Sequence, residues 1–293
     1  MNKYSREQAN ELALRLFPNG FTSIERGKNN WVFEYKNRIL TIPRHERVKS
    51  YAVRVNATQF LHANRIPVSR ILDYSPENNG TPEYLIVERA NGEHPNLLNS
   101  TSTERKKIHQ SAGEVLNAMH NLNSLMYGRL SPSMVGENES WINFTDNFFA
   151  ESIMRVKKAP KLYDKWGGIL EEGYQNGRGD IINFSAPSFL HADFHLGNLL
   201  FKNGQISAVL DLDIVTSGDP NWDSGHYCHT FNVDRIAGVK SFREGYNRSN
   251  SSSKERLYCL MIWTRKMGSQ VFQRPEALEE TIPELEKILR GEI

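Results

Sequence analysis

The 293-residue chain reads as an α+β protein with two lobes: a small N-terminal antiparallel sheet carrying one helix, and a larger, mainly helical C-terminal part. Three observations predict this. Residues 21–89 hold short runs of β-branched and aromatic residues bounded by turn residues, the pattern of strands. One helical stretch interrupts them. After Asn91-Gly92 apolar residues recur at helical spacing, apart from one strand–turn–strand unit around Lys202-Asn203-Gly204. The lobes are expected at 1–89 and 90–293.

In chain order, Ser5 with Gln8 is a capping-box signature, and Ala9, Leu12, Ala13 and Leu16 share one helical face until Pro18-Asn19-Gly20 stops the run. The polar turn Arg26-Gly27-Lys28-Asn29-Asn30 precedes a hairpin of Trp31 to Tyr35 and Arg38 to Ile42. Val48, Tyr51, Ala52 and Val55 sit at i, i+3, i+4 and i+7, which predicts a helix running towards Leu61 and ending before Ile66-Pro67. Strands follow at Arg70 to Leu72 and Tyr84 to Val87. Thr101 with Glu104 opens a helix whose Ile108, Ala112, Val115, Leu116 and Met119 share a face. Leu257, Leu260, Met261 and Thr264 mark another. Polar loops are expected at 131–139, 174–179 and 247–253.

With 39% hydrophobic and 24% charged residues, the composition is that of a soluble globular protein and excludes disordered and fibrous classes. Lys and Arg number 36 against 34 Asp and Glu, so no global field draws nucleic acid or an anionic membrane. The first residues lack the apolar core of a signal peptide, and no apolar run reaches the length of a membrane span, so the cytoplasm is the expected location. Cys228 and Cys259 have no C-x-x-C spacing and read as two buried free thiols.

The densest chemistry lies at residues 189–215. There His191, Asp193 and Asn198 form an H-x-D-x-x-x-x-N pattern, and Asp211 follows two short apolar runs. Phosphoryl transfer needs a group that orients the attacking hydroxyl and ligands that hold magnesium against a triphosphate. Asp193 suits the first role, because a carboxylate accepts or directs a hydroxyl proton. Asn198 and Asp211 supply hard oxygen ligands, which Mg²⁺ prefers. Asp213 reads equally as a second acid in that shell or as a surface residue. A metallohydrolase site built on His191 and His195 needs further ligands, and His226 and His229 form no ligand spacing with them.

The run His191 to Asn198, then Val209-Leu210-Asp211, Gly218-Asp219-Pro220 and Trp222-Asp223, resembles the aminoglycoside phosphotransferase family, with its hygromycin and macrolide kinase relatives. The resemblance covers most of the chain. Gly27 to Phe33 looks like the family's nucleotide loop, Ile66-Pro67-Val68 like its segment after the helix, and Tyr84 to Gly92 like its hinge. It implies a protein-kinase-like fold, with 1–89 as nucleotide-binding lobe and 90–293 as catalytic and substrate-binding lobe. Asp193 becomes the catalytic aspartate, Asn198 and Asp211 the magnesium ligands, and Gly27, Asn30, Arg44, Val87 and Arg89 nucleotide contacts, with Val87 to Arg89 offering backbone to a purine. Asp223 takes the place of a residue that supports the catalytic loop. The implied donor is ATP or GTP with Mg²⁺. The implied acceptor is a hydroxylated small molecule, first an aminoglycoside-type antibiotic and second a metabolite such as an amino alcohol or sugar; no nucleic acid, membrane or obligate protein partner is expected.

The sequence departs from that family in two places. A Lys or Arg usually stands on the third strand to hold the α and β phosphates, and Thr41 stands there here, leaving Arg44 or Lys28 as substitutes. The next helix should carry a glutamate to pair with that base, yet residues 48–66 hold no acid; Glu46 is the nearest. Acids available to a cationic acceptor are Asp146, Glu151, Asp180 and Glu244, while acids and bases nearly balance over 223–293. A nucleotide-binding protein without phosphotransfer is the reading that these departures favour.

Overall fold

In the computed structural model, which describes residues 3–24, 29–45, 50–229 and 235–292, the capping box at Ser5 starts α1 (Arg6–Leu16). Ser5 Oγ accepts from the Gln8 N–H at 3.2 Å, and the Gln8 side chain accepts from the Ser5 N–H at 2.9 Å. The strands β1 (Thr22–Ile24), β2 (Asn30–Tyr35) and β3 (Arg38–Pro43) follow. After α2 (Ala52–Ala63) come β4 (Ile71–Ser75) and β5 (Tyr84–Glu88). The five strands form one antiparallel sheet in the order β1-β2-β3-β5-β4.

Because successive strand residues point to opposite faces, this sheet divides its work. Phe33, Leu40, Ile42 and Ile86 pack on Ala9, Leu12 and Phe17 of α1 and its end. Asn30, Val32, Ile39 and Thr41 face a cleft on the other side. The start of α2 is held by Glu83, which accepts from the Tyr51 N–H at 2.8 Å. Val55 packs on the sheet with Tyr51 and Leu85, while Ala57 and Leu61 join the core of the second lobe. The predicted helix start at Val48 lies outside the described residues, as do Gly27, Lys28 and Glu46.

The second lobe begins with α3 (Ser102–His120), capped by Thr101 and Glu104 as the sequence predicts. Then come β6 (Tyr127–Leu130), β7 (Gly136–Asn138), α4 (Trp141–Lys157), α5 (Pro160–Arg178), β8 (Ser188–Leu190), β9 (Leu199–Lys202), β10 (Gln205–Val209) and β11 (Thr216–Gly218). Helices α6 (Asn221–His229), α7 (Arg235–Tyr246), α8 (Ser252–Gln273) and α9 (Leu278–Arg290) complete it. The connector after β5 docks on the β9–β10 hairpin: Glu93 and Phe201 exchange backbone hydrogen bonds of 3.0 and 2.8 Å. A Cβ on the adjacent Gly92 would collide with the Ser207 side chain and the Phe201 carbonyl, so glycine is required there.

Two sequence expectations are corrected. The predicted single hairpin is joined by a four-stranded sheet, β7-β6-β11-β8, which takes in part of the expected loop at 131–139. Strands of three or four residues carry too few alternations to stand out as a period. The expected loop at 174–179 is largely the last turn of α5, where Tyr174 is buried and Gly177 packs against Leu257; burial overrides the local turn composition. Cys228 and Cys259 are buried free thiols. Among the described residues no helix is long and apolar enough to cross a membrane.

Candidate active site

Antiparallel pairing of β8 with β11 brings the chain out of the core at Leu190, and a loop then carries His191 to Asn198 to the start of β9. Asp223, fully buried on α6, holds this loop from below. Its Oδ2 accepts from the His191 N–H at 2.7 Å and its Oδ1 from the Ala192 N–H at 2.8 Å. His120 Nε2 stands 3.2 Å from the same carboxylate. Ala192 is thereby kept at a φ of 67°, a left-handed conformation that costs a non-glycine residue energy and persists only where surrounding contacts enforce it.

His191 is a support rather than a free base. Its Nδ1 accepts from the Asp193 N–H at 3.2 Å, so Nε2 carries the proton and donates to the Leu210 carbonyl at 2.8 Å. That second bond ties the loop to the residue before Asp211, itself at a φ of 59°. Asn198 uses its side-chain amide to donate to the Asp193 carbonyl at 2.9 Å and to Asp193 Oδ2 at 3.3 Å.

The Asp193 carboxylate lies between two imidazoles. His195 Nδ1 accepts from the Gly197 N–H at 3.0 Å, so the proton sits on Nε2, 3.6 Å from Asp193 Oδ2. His226 Nδ1 is 3.9 Å from Oδ1. Burial pushes the Asp193 pKa up, but His195, then the charges of His226 and His191, outweigh it and hold the carboxyl well below the usual range. His226, buried away from water, is itself pushed down to about 4.

Two cavities meet at this loop. Asp193, Ala192 and His195 line one of about 910 Å³, on the side of α8 and α9. Asn198 and Asp211 line another of about 800 Å³, under the open face of the first sheet. Asn30, Thr41, Val87 and Arg89 also line the second. The structure therefore gathers most of the predicted nucleotide contacts in one place. Asn30 accepts from the Tyr51 hydroxyl at 2.7 Å, and Arg89 pairs with Glu34 at 2.8 Å across the mouth.

Arg44 is elsewhere. Its guanidinium stacks 4.5 Å over the Trp31 ring on the face of the sheet turned away from the cleft, because residues 42 and 44 follow the alternation that sends Leu40 and Ile42 towards α1. The backbone expectation also shifts. The N–H groups of Glu88 and Arg89 already donate to the carbonyls of Arg70 and Asn37, at 2.8 and 3.0 Å, so neither is free to donate to a ligand.

Arg54 is the cation that sequence reasoning missed. It lines the cavity under the sheet from α2, and its Nη1 stands 3.6 Å from Asp213 Oδ1. Burial works against its charge, but Asp213, Tyr51 and Asp211 outweigh that and push its pKa up. Thr41, in the place of the usual strand cation, is buried and donates to the Leu85 carbonyl at 3.4 Å. A signal was present: Arg54 is the one Lys, Arg, Asp or Glu in residues 50–63.

The acids opposite fit a hard divalent cation. Burial, then the neighbouring charge of Asp213, raises the Asp211 pKa to about 6. Both Asp213 carboxylate oxygens are buried and take no hydrogen bond. Asn198 and Asp211, which line one cavity, and the neighbouring Asp213 are oxygen donors of the kind that Mg²⁺ would take. Among the described residues no group of three or more His, Cys, Asp or Glu forms a metal cage, so the metallohydrolase alternative has no ligand set in the described structure.

A sheet lobe over a helical lobe, with an aspartate loop between two cavities, is the protein-kinase-like architecture. Within it, the chain belongs to the phosphotransferase enzyme family, whose model matches residues 21–258. Solved structures of similar fold include the aminoglycoside phosphotransferase APH(4)-Ia in ternary complex with AMP-PNP and hygromycin B. It is 17% identical with a TM-score of 0.72, over 96% of this chain and 97% of that one. The gentamicin complex of APH(2")-IIa is 16% identical with a TM-score of 0.71, over 97% of each chain. ADP-bound APH(2'')-Ib is 14% identical with a TM-score of 0.68, over 98% of each. No curated protein matches the sequence.

Proposed function

We propose that this protein is an O-phosphotransferase that moves the γ-phosphate of ATP or GTP to a hydroxyl of a small molecule, with Mg²⁺, in the cytoplasm. The observation that carries this reading is the division of the site between two cavities: Asp193 lines one, while Asn198 and Asp211 line the other, under the sheet. Residues 1–89 act as the nucleotide-binding lobe and 90–293 as the catalytic and substrate-binding lobe. Asp193, ionised at neutral pH, accepts the proton of the acceptor hydroxyl as that oxygen attacks the γ-phosphorus. The β–γ bridging oxygen departs with the electron pair of the broken P–O bond. Asn198 and Asp211 would hold Mg²⁺, which when bound neutralises phosphate charge. Arg54 supplies a fixed positive charge from α2 in place of the strand cation that Thr41 replaces.

For the acceptor, an aminoglycoside-type antibiotic is the first class to test, since similar structures hold hygromycin B or gentamicin. A cellular metabolite is the second reading, and a specific observation favours it. Asp146 is bound by Arg178 at 2.8 and 2.7 Å, Glu151 faces Arg265, Glu244 faces Lys106, and Asp180 lines other clefts. None of these four acids lines the Asp193 cavity. A coupled nucleotide-consumption assay over a panel of hydroxylated acceptors tests the proposal. Asp193→Ala should remove nearly all Mg²⁺-dependent turnover while ADP still binds. Retained turnover overturns the assignment, and binding without transfer to any acceptor selects the non-catalytic alternative.

A further inference from the structure

The acceptor-side cavity has a charge pattern of its own. Among the described residues its lining holds Arg129, Arg265 and Lys266 against Glu280, Glu284 and Asp193. Glu284 stands 2.6 Å from Lys287, and at Lys266 burial first, with Arg274, pulls the pKa down against the charges of Glu280, Glu284 and Asp193. The other end is different. Arg265 feels burial first and then the like charges of Arg155 and Arg129, which together pull its pKa down despite Glu151 at 3.3 Å. That glutamate is two-thirds exposed, and an ion pair held in water contributes little. Arg129 makes no ion pair among the described residues.

Aromatic side chains form part of the same lining. Phe148 lies 4.6 Å beneath the Arg265 guanidinium, and the Lys266 ammonium sits 3.9 Å over Trp263. Trp222 packs edge-on against Phe148 at 5.0 Å. Next to Asp193, His226 is 8% exposed and its Nδ1 has no hydrogen-bond partner. It lines the same cavity, where an incoming hydroxyl would satisfy it.

We propose that this cavity takes a hydroxylated acceptor with a flat apolar body and one anionic group, a carboxylate or phosphate, held by Arg129 and Arg265 while its hydroxyl lies between Asp193 and His226. The inference rests on the phosphotransferase reading and narrows its substrate class. A polycation would set several ammonium groups against these arginines; an anion relieves their mutual repulsion and gains charge-assisted hydrogen bonds. The cavity is of the size that encloses a drug-sized ligand.

Three probes with one ring and one benzylic hydroxyl separate the charges: 4-(hydroxymethyl)benzoate, neutral 1,4-benzenedimethanol and cationic 4-(aminomethyl)benzyl alcohol. Binding is followed by tryptophan fluorescence and calorimetry in the presence of Mg²⁺ and ADP. The anion should bind about tenfold more tightly than the cation, with the neutral probe between them and the gap closing in high salt. Arg265→Gln and Arg129→Gln should each reduce that preference several-fold. Arg129 is exposed, so its variant keeps the test intact if Arg265→Gln fails to fold. The proposal is overturned if the cationic probe or hygromycin B binds as well as the anion, if the preference survives both substitutions, or if no probe saturates at millimolar concentration. Failure of the phosphotransferase reading shows separately, as absent Mg²⁺-dependent ADP binding and absent slow ATP hydrolysis without acceptor.

Discussion

The two sides of the cleft are built on opposite plans. Below, the loop at 191–198 is pinned atom by atom: Asp223 takes two backbone N–H groups, and both His191 nitrogens are used. Above, β3 presents Thr41 to the cavity, and Arg54 on α2 faces Asp213 with no hydrogen bond between them. The two plans follow from how steeply each interaction depends on geometry. Orienting a hydroxyl depends on angle and sub-ångström position, so its groups come from one short, braced segment. Neutralising phosphate needs only nearby positive charge, which falls off slowly with distance, so another element can supply it.

The largest test of this contrast is Asp193→Ala, which should lower turnover by about a thousandfold, with unchanged nucleotide affinity by calorimetry. A parallel loss of ADP binding would mean that the sides are not separable. Next comes the pH response of the lower side. His226 titrates at about 4 in the folded protein, below the usual value of about 6.5. The unfolded chain therefore takes up a proton that the folded one resists, and stability from this group, present above about 6.5, is lost as pH falls towards 4. The loss is of the order of 3 kcal/mol. Asp211, raised to about 6, acts with the opposite sign, so the measurement is the difference in urea unfolding between wild type and His226→Gln. Parallel pH profiles would overturn the assignment.

On the upper side, Arg54→Ala should cost about 2 kcal/mol of transition-state stabilisation in kcat/KM for nucleotide, roughly thirtyfold, and Arg54→Lys should restore part of it. If Arg54→Ala leaves those constants alone, the relocated charge does not serve the phosphates. The smallest effect is expected at Arg44. Its removal from Trp31 should lower stability by about 0.5 kcal/mol and leave nucleotide kinetics within about twofold. A large kinetic effect would return it to the site.

Much of this was legible in the residues. Both capping boxes, the β2–β3 hairpin and the H-x-D-x-x-x-x-N loop depend on neighbours within a few positions, and each stands where the pattern predicts. The four-stranded sheet was not legible, because strands of three or four residues pair with partners as far apart as Arg129 and Thr216. Arg44 was misread for a simpler reason: reach along the chain says nothing about which face of a strand a side chain takes.

Asp193, Asn198 and Asp211 could be read as one group from the residues alone, because fixed spacing and a single tight hairpin tie them to one another. What faces them could not. Thr41, Arg54, His226 and Arg265 lie on four different elements, and packing brings these distant residues together, where burial leaves each polar group in need of a partner.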